Sequence, residues 1–333
     1  MSRDILYMRR CLDLARMAQG HTSPNPMVGA IIVHKDRIIG QGYHHRAGLP
    51  HAEVLAFSSI SEQDHNLISH STLYVSLEPC SHYGKTPPCC ELIAQKRPKR
   101  VVVAMEDPFE QVRGRGIRYL RERGIEVECG VCEEEARWLN RFFITAHVHH
   151  RPFVTLKWAQ SRDGYIDKEI EGERHSVLLS SSLRLREVHR LRAYHDAVLV
   201  GNGTALTDNP QLTNRFWWGR QPLRVVLCGK RKLGRTSHLL NDSYLTLLVV
   251  HDSTYDSWVD GLQNTHLLHL LPHEGIHELL YYLYQRGIHS LLVEGGAYTL
   301  QQFIDNQLYD AIEREIAPIN LGKGTLAPNI SLV

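Results

Sequence analysis

Four residues, His51, Glu53, Cys80 and Cys89, have the types and spacing to do chemistry together. His51-Ala52-Glu53 sets an imidazole and a carboxylate two positions apart, and Pro79-Cys80 is followed by Cys89 after eight intervening residues. Two thiolates neutralise a zinc dication, one neutral imidazole completes three protein ligands, and the fourth tetrahedral position stays open, which is the pattern of a catalytic zinc rather than a structural one. An ion held this way makes water nucleophilic near neutral pH toward an amidine-like ring carbon. Glu53, at the start of a helix, would flank the metal without binding it and carry a proton from water to the ring nitrogen and then to the leaving ammonia. A lone His-x-Glu is usually an accident of a solvated helix, and a lone Pro-Cys a buried thiol; the combination is what points to zinc. Cys90 adjoins Cys89 but would point elsewhere on a helix, so it is read as a packed core thiol. His44 and His45 lack ligand spacing and are expected at the surface. Of 21 histidines, only His51 is assigned to metal.

The elements that must position these groups read as α/β. Met1 to Gly20 carries Ile5, Met8, Leu12 and Ala15 at helical spacing, an amphipathic helix and not a signal peptide. Two apolar runs, 28–33 and 38–43, flank His34-Lys35-Asp36-Arg37 as strand, turn and strand. A helix from Ala52, a strand 72–77, a helix from Cys89, a strand 100–105, a helix from Gly116 and a strand 125–129 complete an αββαβαβαβ order. Such alternation predicts a mostly parallel sheet covered by helices, with the site on loops that follow strands. A last helix spans 133–143, and the polar link His147-Val-His-His-Arg-Pro152 is the best boundary, giving domains 1–148 and 149–333. The second domain repeats the alternation: strand 153–158, helix 182–193, strands 197–201, 223–228 and 245–250, helix 275–285, strand 290–293 and a helix from Ala297.

Bulk properties bound the function. At 333 residues the chain is long enough for two domains, with 43% hydrophobic and 22% charged residues, as in an ordinary globular protein. A net charge of +2 gives no nucleic-acid-binding footprint, while local Arg and Lys could still hold a small phosphorylated molecule. No apolar run reaches membrane-spanning length. Seven cysteines, three of them crowded at 80, 89 and 90, suit metal ligation in a reducing cytoplasm better than a disulfide framework. A homo-oligomer acting on a small molecule, without nucleic acid or membrane, is the expected state.

The eight-residue gap between Cys80 and Cys89 is longer than in the general deaminase pattern. With it, Ser23-Pro-Asn-Pro-Met-Val-Gly29, His51-Ala-Glu53 and Leu77-Glu-Pro-Cys-Ser-His-Tyr-Gly-Lys-Thr-Pro-Pro-Cys89 resemble the bifunctional deaminase/reductases of riboflavin biosynthesis. The resemblance implies a cytidine-deaminase-like three-layer αβα domain and brings Asn25, His82, Lys85 and Asp107 to the pyrimidine and phosphate pocket. In the second half, Leu156-Lys-Trp-Ala-Gln-Ser-Arg-Asp-Gly164, Leu191-Arg-Ala193, residues 200–213 and Val293-Glu-Gly-Gly296 resemble the reductase half of the same family. That implies a dihydrofolate-reductase-like α/β domain using NADPH. By the same resemblance Ala159, Thr204, Asp208 and Gly296 contact the cofactor, and Ser176, Arg192, Leu212, Arg215 and Glu294 hold a ribosyl phosphate substrate. Arg192 and Arg215 suit a phosphate through paired hydrogen bonds, and Lys157 is a candidate polar anchor. Gly201-Asn-Gly203 continues as Thr-Ala-Leu and makes no dinucleotide fingerprint, whereas Gly295-Gly296 between a strand and a helix lets backbone N–H groups approach phosphate.

The implied reactions are zinc-dependent hydrolytic deamination of 2,5-diamino-6-(5-phosphoribosylamino)pyrimidin-4(3H)-one, then NADPH reduction of 5-amino-6-(5-phosphoribosylamino)uracil to its ribityl form. The chain departs from the family pattern at Leu178, in place of an aromatic residue, at Cys228-Gly229, where an Asp is usual, and at Phe109, in place of Asn. It also ends at Val333 soon after Ala317-Pro-Ile-Asn-Leu-Gly322, so its reductase domain is expected to be short at the C-terminus. A deaminase with a degenerate reductase domain is therefore an alternative, and a nucleic-acid-binding zinc protein a third reading.

Overall fold

The structure, a computed structural model, describes residues 2–83, 87–109 and 113–330. Its contacts divide the chain into two compact units, residues 1–150 and 151–333. No helix among the described residues is long and apolar enough to cross a membrane.

The first unit runs α1 (Arg3–Arg16), β1 (Gly29–His34), β2 (Arg37–Tyr43), α2 (Ala52–Ser58), β3 (Thr72–Val75), α3 (Cys89–Lys96), β4 (Arg100–Val103), α4 (Arg115–Arg121), β5 (Glu126–Cys129), α5 (Glu133–Leu139) and α6 (Arg141–His149). The sheet order is β2-β1-β3-β4-β5, with β3, β4 and β5 parallel and the hairpin β1-β2 antiparallel. Strand side chains alternate between two cores, as the two-residue period of a pleated strand requires. Ala30, Ile32, Leu73, Val75, Val101 and Val103 pack with α2, α3 and α4 on one face; Ile31, Val33, Tyr74 and Val102 pack with α1 and α5 on the other. This is a three-layer αβα unit.

Two departures from the sequence expectation arise here. The final helix breaks at Asn140, because that buried side chain turns aside to accept from the Met27 N–H (2.8 Å) and donate to the Met27 carbonyl (2.9 Å). The expected polar link from His147 is helical as far as His149, the end of α6.

The second unit contains β6 (Phe153–Ser161), the small hairpin β7 (Lys168–Ile170) and β8 (Glu173–His175), α7 (Ser182–Tyr194), β9 (Ala197–Gly201), α8 (Asn202–Asp208), β10 (Leu223–Leu227), β11 (Thr246–Val250), β12 (Thr265–His269), α9 (Ile276–Gln285), β13 (Ser290–Val293), α10 (Ala297–Asp305) and β14 (Ala311–Ala317). Seven strands form a sheet of order β12-β11-β10-β9-β13-β6-β14, every neighbour parallel. The central strands are buried on both faces, which is why they read as continuous Val/Leu runs. β12 and β14, at the edges, carry His, Glu and Arg among their apolar residues; lacking a clean apolar pattern, they are not seen in the sequence. After β14, residues 319–327 run back along 162–169. Ile166 N donates to Thr325 O at 2.9 Å, Ala327 N to Gly164 O at 2.8 Å, and the Asp167 carboxylate accepts from the Thr325 N–H at 2.6 Å.

Helix α2 lies against β2 closely enough that a Cβ on Gly42 would stand 2.6 Å from the Ala56 nitrogen and 2.8 Å from the Ala52 oxygen, both backbone atoms that cannot turn away. Gly42→Ala should therefore cost about 1–3 kcal/mol through overpacking. A shift of the urea midpoint measures this, and an unchanged midpoint would contradict the close approach.

Candidate active sites

His51 is the residue just before α2, with extended backbone (φ −72°, ψ 164°), and Glu53 lies in the first turn of that helix. Cys80 follows β3 in a loop, and Cys89 opens α3. Cys80 Sγ lies 3.6 Å and Cys89 Sγ 3.4 Å from His51 Nδ1, and all three donor atoms fall within 4.8 Å of one another. Zinc–ligand bonds of about 2.3 Å to sulfur and 2.0–2.1 Å to nitrogen, at tetrahedral angles, put such atoms roughly 3.5 Å apart. The triad fits zinc. The Cys89 N–H donates to Cys80 Sγ at 3.2 Å, a backbone bond that favours the thiolate a metal requires. Glu53 is 3% exposed; burial, and next the nearby Cys80 charge, push its carboxyl up to about 7. Cys90 is buried in the core of α2, α3 and α4.

The sequence reading of His44 needs correction: it is not at the surface but 2% exposed, 5.4 Å edge-on from the His51 ring. The reason lies in its hydrogen bonds. His44 Nδ1 donates to the Pro50 carbonyl at 3.1 Å, which leaves Nε2 to accept from Asn25 Nδ2 at 3.1 Å. Burial lowers its pKa and so favours this neutral form. Asn25 is thereby tied to the segment that precedes the ligand His51. His45 is exposed and stacks on Tyr43. Asp107, at the exit of β4, is 8% exposed and burial raises its pKa to about 6; it also feels the charges of Glu78, His82 and Cys80. His82 is exposed. Lys85 lies outside the described residues.

In the second unit a cavity of about 1230 Å³ opens at the carboxyl ends of β9, β10, β11 and β12, above the 300–1,000 Å³ of a typical small-ligand site. Ser176, Thr204, Asp208 and Gly296 line it, together with Cys228 and Gly229. Thr204 faces Gly296, where a Cβ would come within 3.0 Å of the threonine Oγ1. This is the switch point of a doubly wound sheet, since β13 returns between β9 and β6 and α10 starts directly after it. Backbone N–H groups at a helix start suit a phosphate, and a cavity of this volume beside one has room for a nicotinamide cofactor.

Arg192, Arg215 and Glu294 gather next to Gly295-Gly296 rather than in the cavity wall. Arg192 is clamped by Glu294 through two bonds of 2.6 and 2.7 Å and donates to the Thr213 carbonyl at 3.1 Å. The two side chains thus form a largely buried ion pair, 11% and 9% exposed, which the sequence does not reveal. Arg215 is exposed, bonded to Thr213 Oγ1 at 2.9 Å, with its N–H on His189 Nδ1 at 2.8 Å. His189, missed in the sequence as an unremarkable helical residue, is held low, to about 4, by burial and by Arg192 and Arg215. Lys157 acts electrostatically on Glu294 from β6. Leu212 is a core residue with φ 53°, and Ala159 lies on β6 outside the cavity lining. Leu178 is 73% exposed.

Residues 1–105 match the family model of the cytidine and deoxycytidylate deaminase zinc-binding region, and residues 152–331 match that of the RibD C-terminal domain. The riboflavin biosynthesis protein RibD of Aquifex aeolicus is 39% identical over 319 residues, 96% of this chain and 88% of its own length. That of Escherichia coli is 34% identical over 338 residues, 96% and 89% of the two chains. A solved diaminohydroxyphosphoribosylaminopyrimidine deaminase/5-amino-6-(5-phosphoribosylamino)uracil reductase from Thermotoga maritima superposes with a TM-score of 0.85 at 38% identity, covering 97% of this chain and 89% of that one. Acinetobacter baumannii RibD does so with a TM-score of 0.87 at 35% identity, covering 97% and 89%. With the zinc triad in one unit and the cofactor-sized cavity in the other, the chain belongs to the RibD family of riboflavin biosynthesis, enzymes that join a zinc-binding deaminase to a reductase.

Proposed function

We propose that the first unit hydrolyses the exocyclic amine of 2,5-diamino-6-(5-phosphoribosylamino)pyrimidin-4(3H)-one, releasing ammonia, and that the second reduces the resulting 5-amino-6-(5-phosphoribosylamino)uracil with NADPH to the ribityl product. The observation that carries the first half is Glu53, a carboxyl buried beside three converging zinc ligands. Zinc in the His51-Cys80-Cys89 triad supplies the Lewis acidity that makes water nucleophilic near neutral pH. Glu53 takes a proton from the attacking water and delivers it to the ring nitrogen; it then carries the proton of the hydroxyl now on carbon to the amine, and the C–N bond breaks to give the carbonyl and ammonia. A carboxyl pushed up to about 7 suits both directions of transfer. Asn25, oriented by His44, is read with His82, Lys85 and Asp107 as contacting the pyrimidine and phosphate of the substrate.

In the second unit, Ala159, Thr204, Asp208 and Gly296 are assigned to the cofactor. Ser176, Arg192, Leu212, Arg215 and Glu294 are assigned to the ribosyl phosphate. Hydride chemistry belongs to the nicotinamide; the protein's part is to hold the opened ribose carbonyl against it. We read the chain as a cytoplasmic homo-oligomer that binds no nucleic acid, in line with its unpaired cysteines and near-neutral charge.

Glu53→Gln should retain one zinc per chain and lose ammonia release by about 10²–10⁴-fold. Wild-type turnover in this variant would exclude the proton role. Removing zinc with a chelator should abolish ammonia release while leaving NADPH oxidation on the deaminated substrate intact. An assay of both products on one preparation separates a two-activity enzyme from a deaminase alone. Arg192→Ala strands the buried Glu294 carboxylate, so the second unit should lose about 3–5 kcal/mol of stability, as for other broken buried pairs. Thermal unfolding checks this, and the double variant Arg192→Met/Glu294→Leu should recover much of the loss.

A further inference from the structure

Glu78 lies between the end of β3 and the ligand Cys80, and it is 3% exposed. Its side chain is spent on backbone. Oε2 accepts from the N–H of Asp107 at 3.1 Å and of Gly114 at 2.9 Å; Oε1 accepts from Gly116 at 2.9 Å and Ile117 at 3.3 Å. Four donors fill the lone-pair sites a carboxylate offers, and Glu78 adds its own N–H to the Met105 carbonyl at 3.0 Å. A second feature marks the same joint. A Cβ on Gly116 would stand 2.1 Å from the Pro79 carbonyl oxygen, so the start of α4 touches the backbone next to Cys80.

All four donors belong to the segment from Asp107 to the first turn of α4, and Asp107 is close enough to His82 and Cys80 to feel their charges. We propose that Glu78 is a positioning residue for the deaminase reaction: its carboxylate fastens the Asp107 loop to the Cys80 segment and so fixes how the pyrimidine nucleotide is held beside Glu53. The inference rests on the deaminase reading of the first unit. Backbone N–H groups suit this task because they report the loop's main-chain position, whatever its side chains. A charged acceptor holds them more tightly than a neutral one. Glutamine keeps the shape of Glu78 but turns an amide N–H₂ toward two of the four donors.

The test uses the full-length zinc-loaded enzyme. Glu78→Gln should keep one zinc per chain, which reports a folded first unit, and normal NADPH oxidation on the deaminated substrate, which reports a folded second one. Its KM for the diaminopyrimidine nucleotide should rise tenfold or more, with a smaller fall in kcat. Gly116→Ala, which opens the same joint by a different route, should shift KM in the same direction. Asp107→Asn should raise KM in the wild-type background and add little on top of Glu78→Gln, because the contact it removes is then already displaced. An unchanged KM, or fully additive effects, would overturn the proposal. So would loss of zinc in Glu78→Gln, since Glu78 would then support the ligand triad and not the substrate loop. No ammonia release from the wild-type enzyme would instead overturn the deaminase reading itself.

Discussion

Helix α2 rests its backbone on strand β2 with no side chain between them, since at Gly40 and Gly42 a Cβ would meet Ala56 and Ala52 main-chain atoms at 2.4–2.8 Å. That contact fixes the height of the helix start over the sheet, and with it His51 at the cap and Glu53 one turn in. The other two zinc ligands come from loops on the neighbouring strands: Cys80 leaves the end of β3, and the chain returns so that Cys89 opens α3 beside it. Parallel strands β3 and β4 both point their carboxyl ends at this spot, which is why Asp107, after β4, is also there. Ligands 29 and 38 positions from His51 converge because three elements are each packed rigidly on one sheet.

Gathering a carboxyl, an imidazole and two thiols inside a nearly dry space is electrostatically costly unless an ion compensates them. The first unit meets this with backbone donors: the Cys89 N–H favours the charged form of Cys80, and four N–H groups satisfy the oxygens of Glu78. Glu53 is left without comparable support, and burial drives its pKa upward toward the range where a proton shuttle works. The same environment thus leaves one carboxylate fully hydrogen-bonded to backbone and the other buried with its pKa raised.

The second unit separates its tasks in space. The cofactor-sized cavity follows the ends of β9 to β12, whereas the Arg192–Glu294 pair sits at the end of β13, and Glu294-Gly295-Gly296 connects the two. Arg192 and Glu294 hold each other in place through two bonds, so the guanidinium is oriented and does not rotate freely. The returning segment 319–327, anchored on Asp163 and Asp167, supplies Thr325 to the cavity wall.

Ligand chemistry is local, so the sequence alone already sets out the candidates: two cysteines, one histidine and a glutamate at a spacing that suits zinc, which the fold brings within 4.8 Å for the three donor atoms. The buried parallel strands were equally plain, because strands covered on both faces are apolar throughout. Edge strands β12 and β14 were not, since half their surroundings are water and their composition is mixed. Only the tertiary structure decided that His44 is buried and orients Asn25, that Asn140 breaks a helix to grip Met27, that Glu78 binds a loop nearly forty residues away and that Arg192 is already paired. Each of these depends on groups distant in the chain meeting across a packed core, and a hydrogen-bond partner brought there by the fold leaves no periodicity or spacing in the sequence from which to read it.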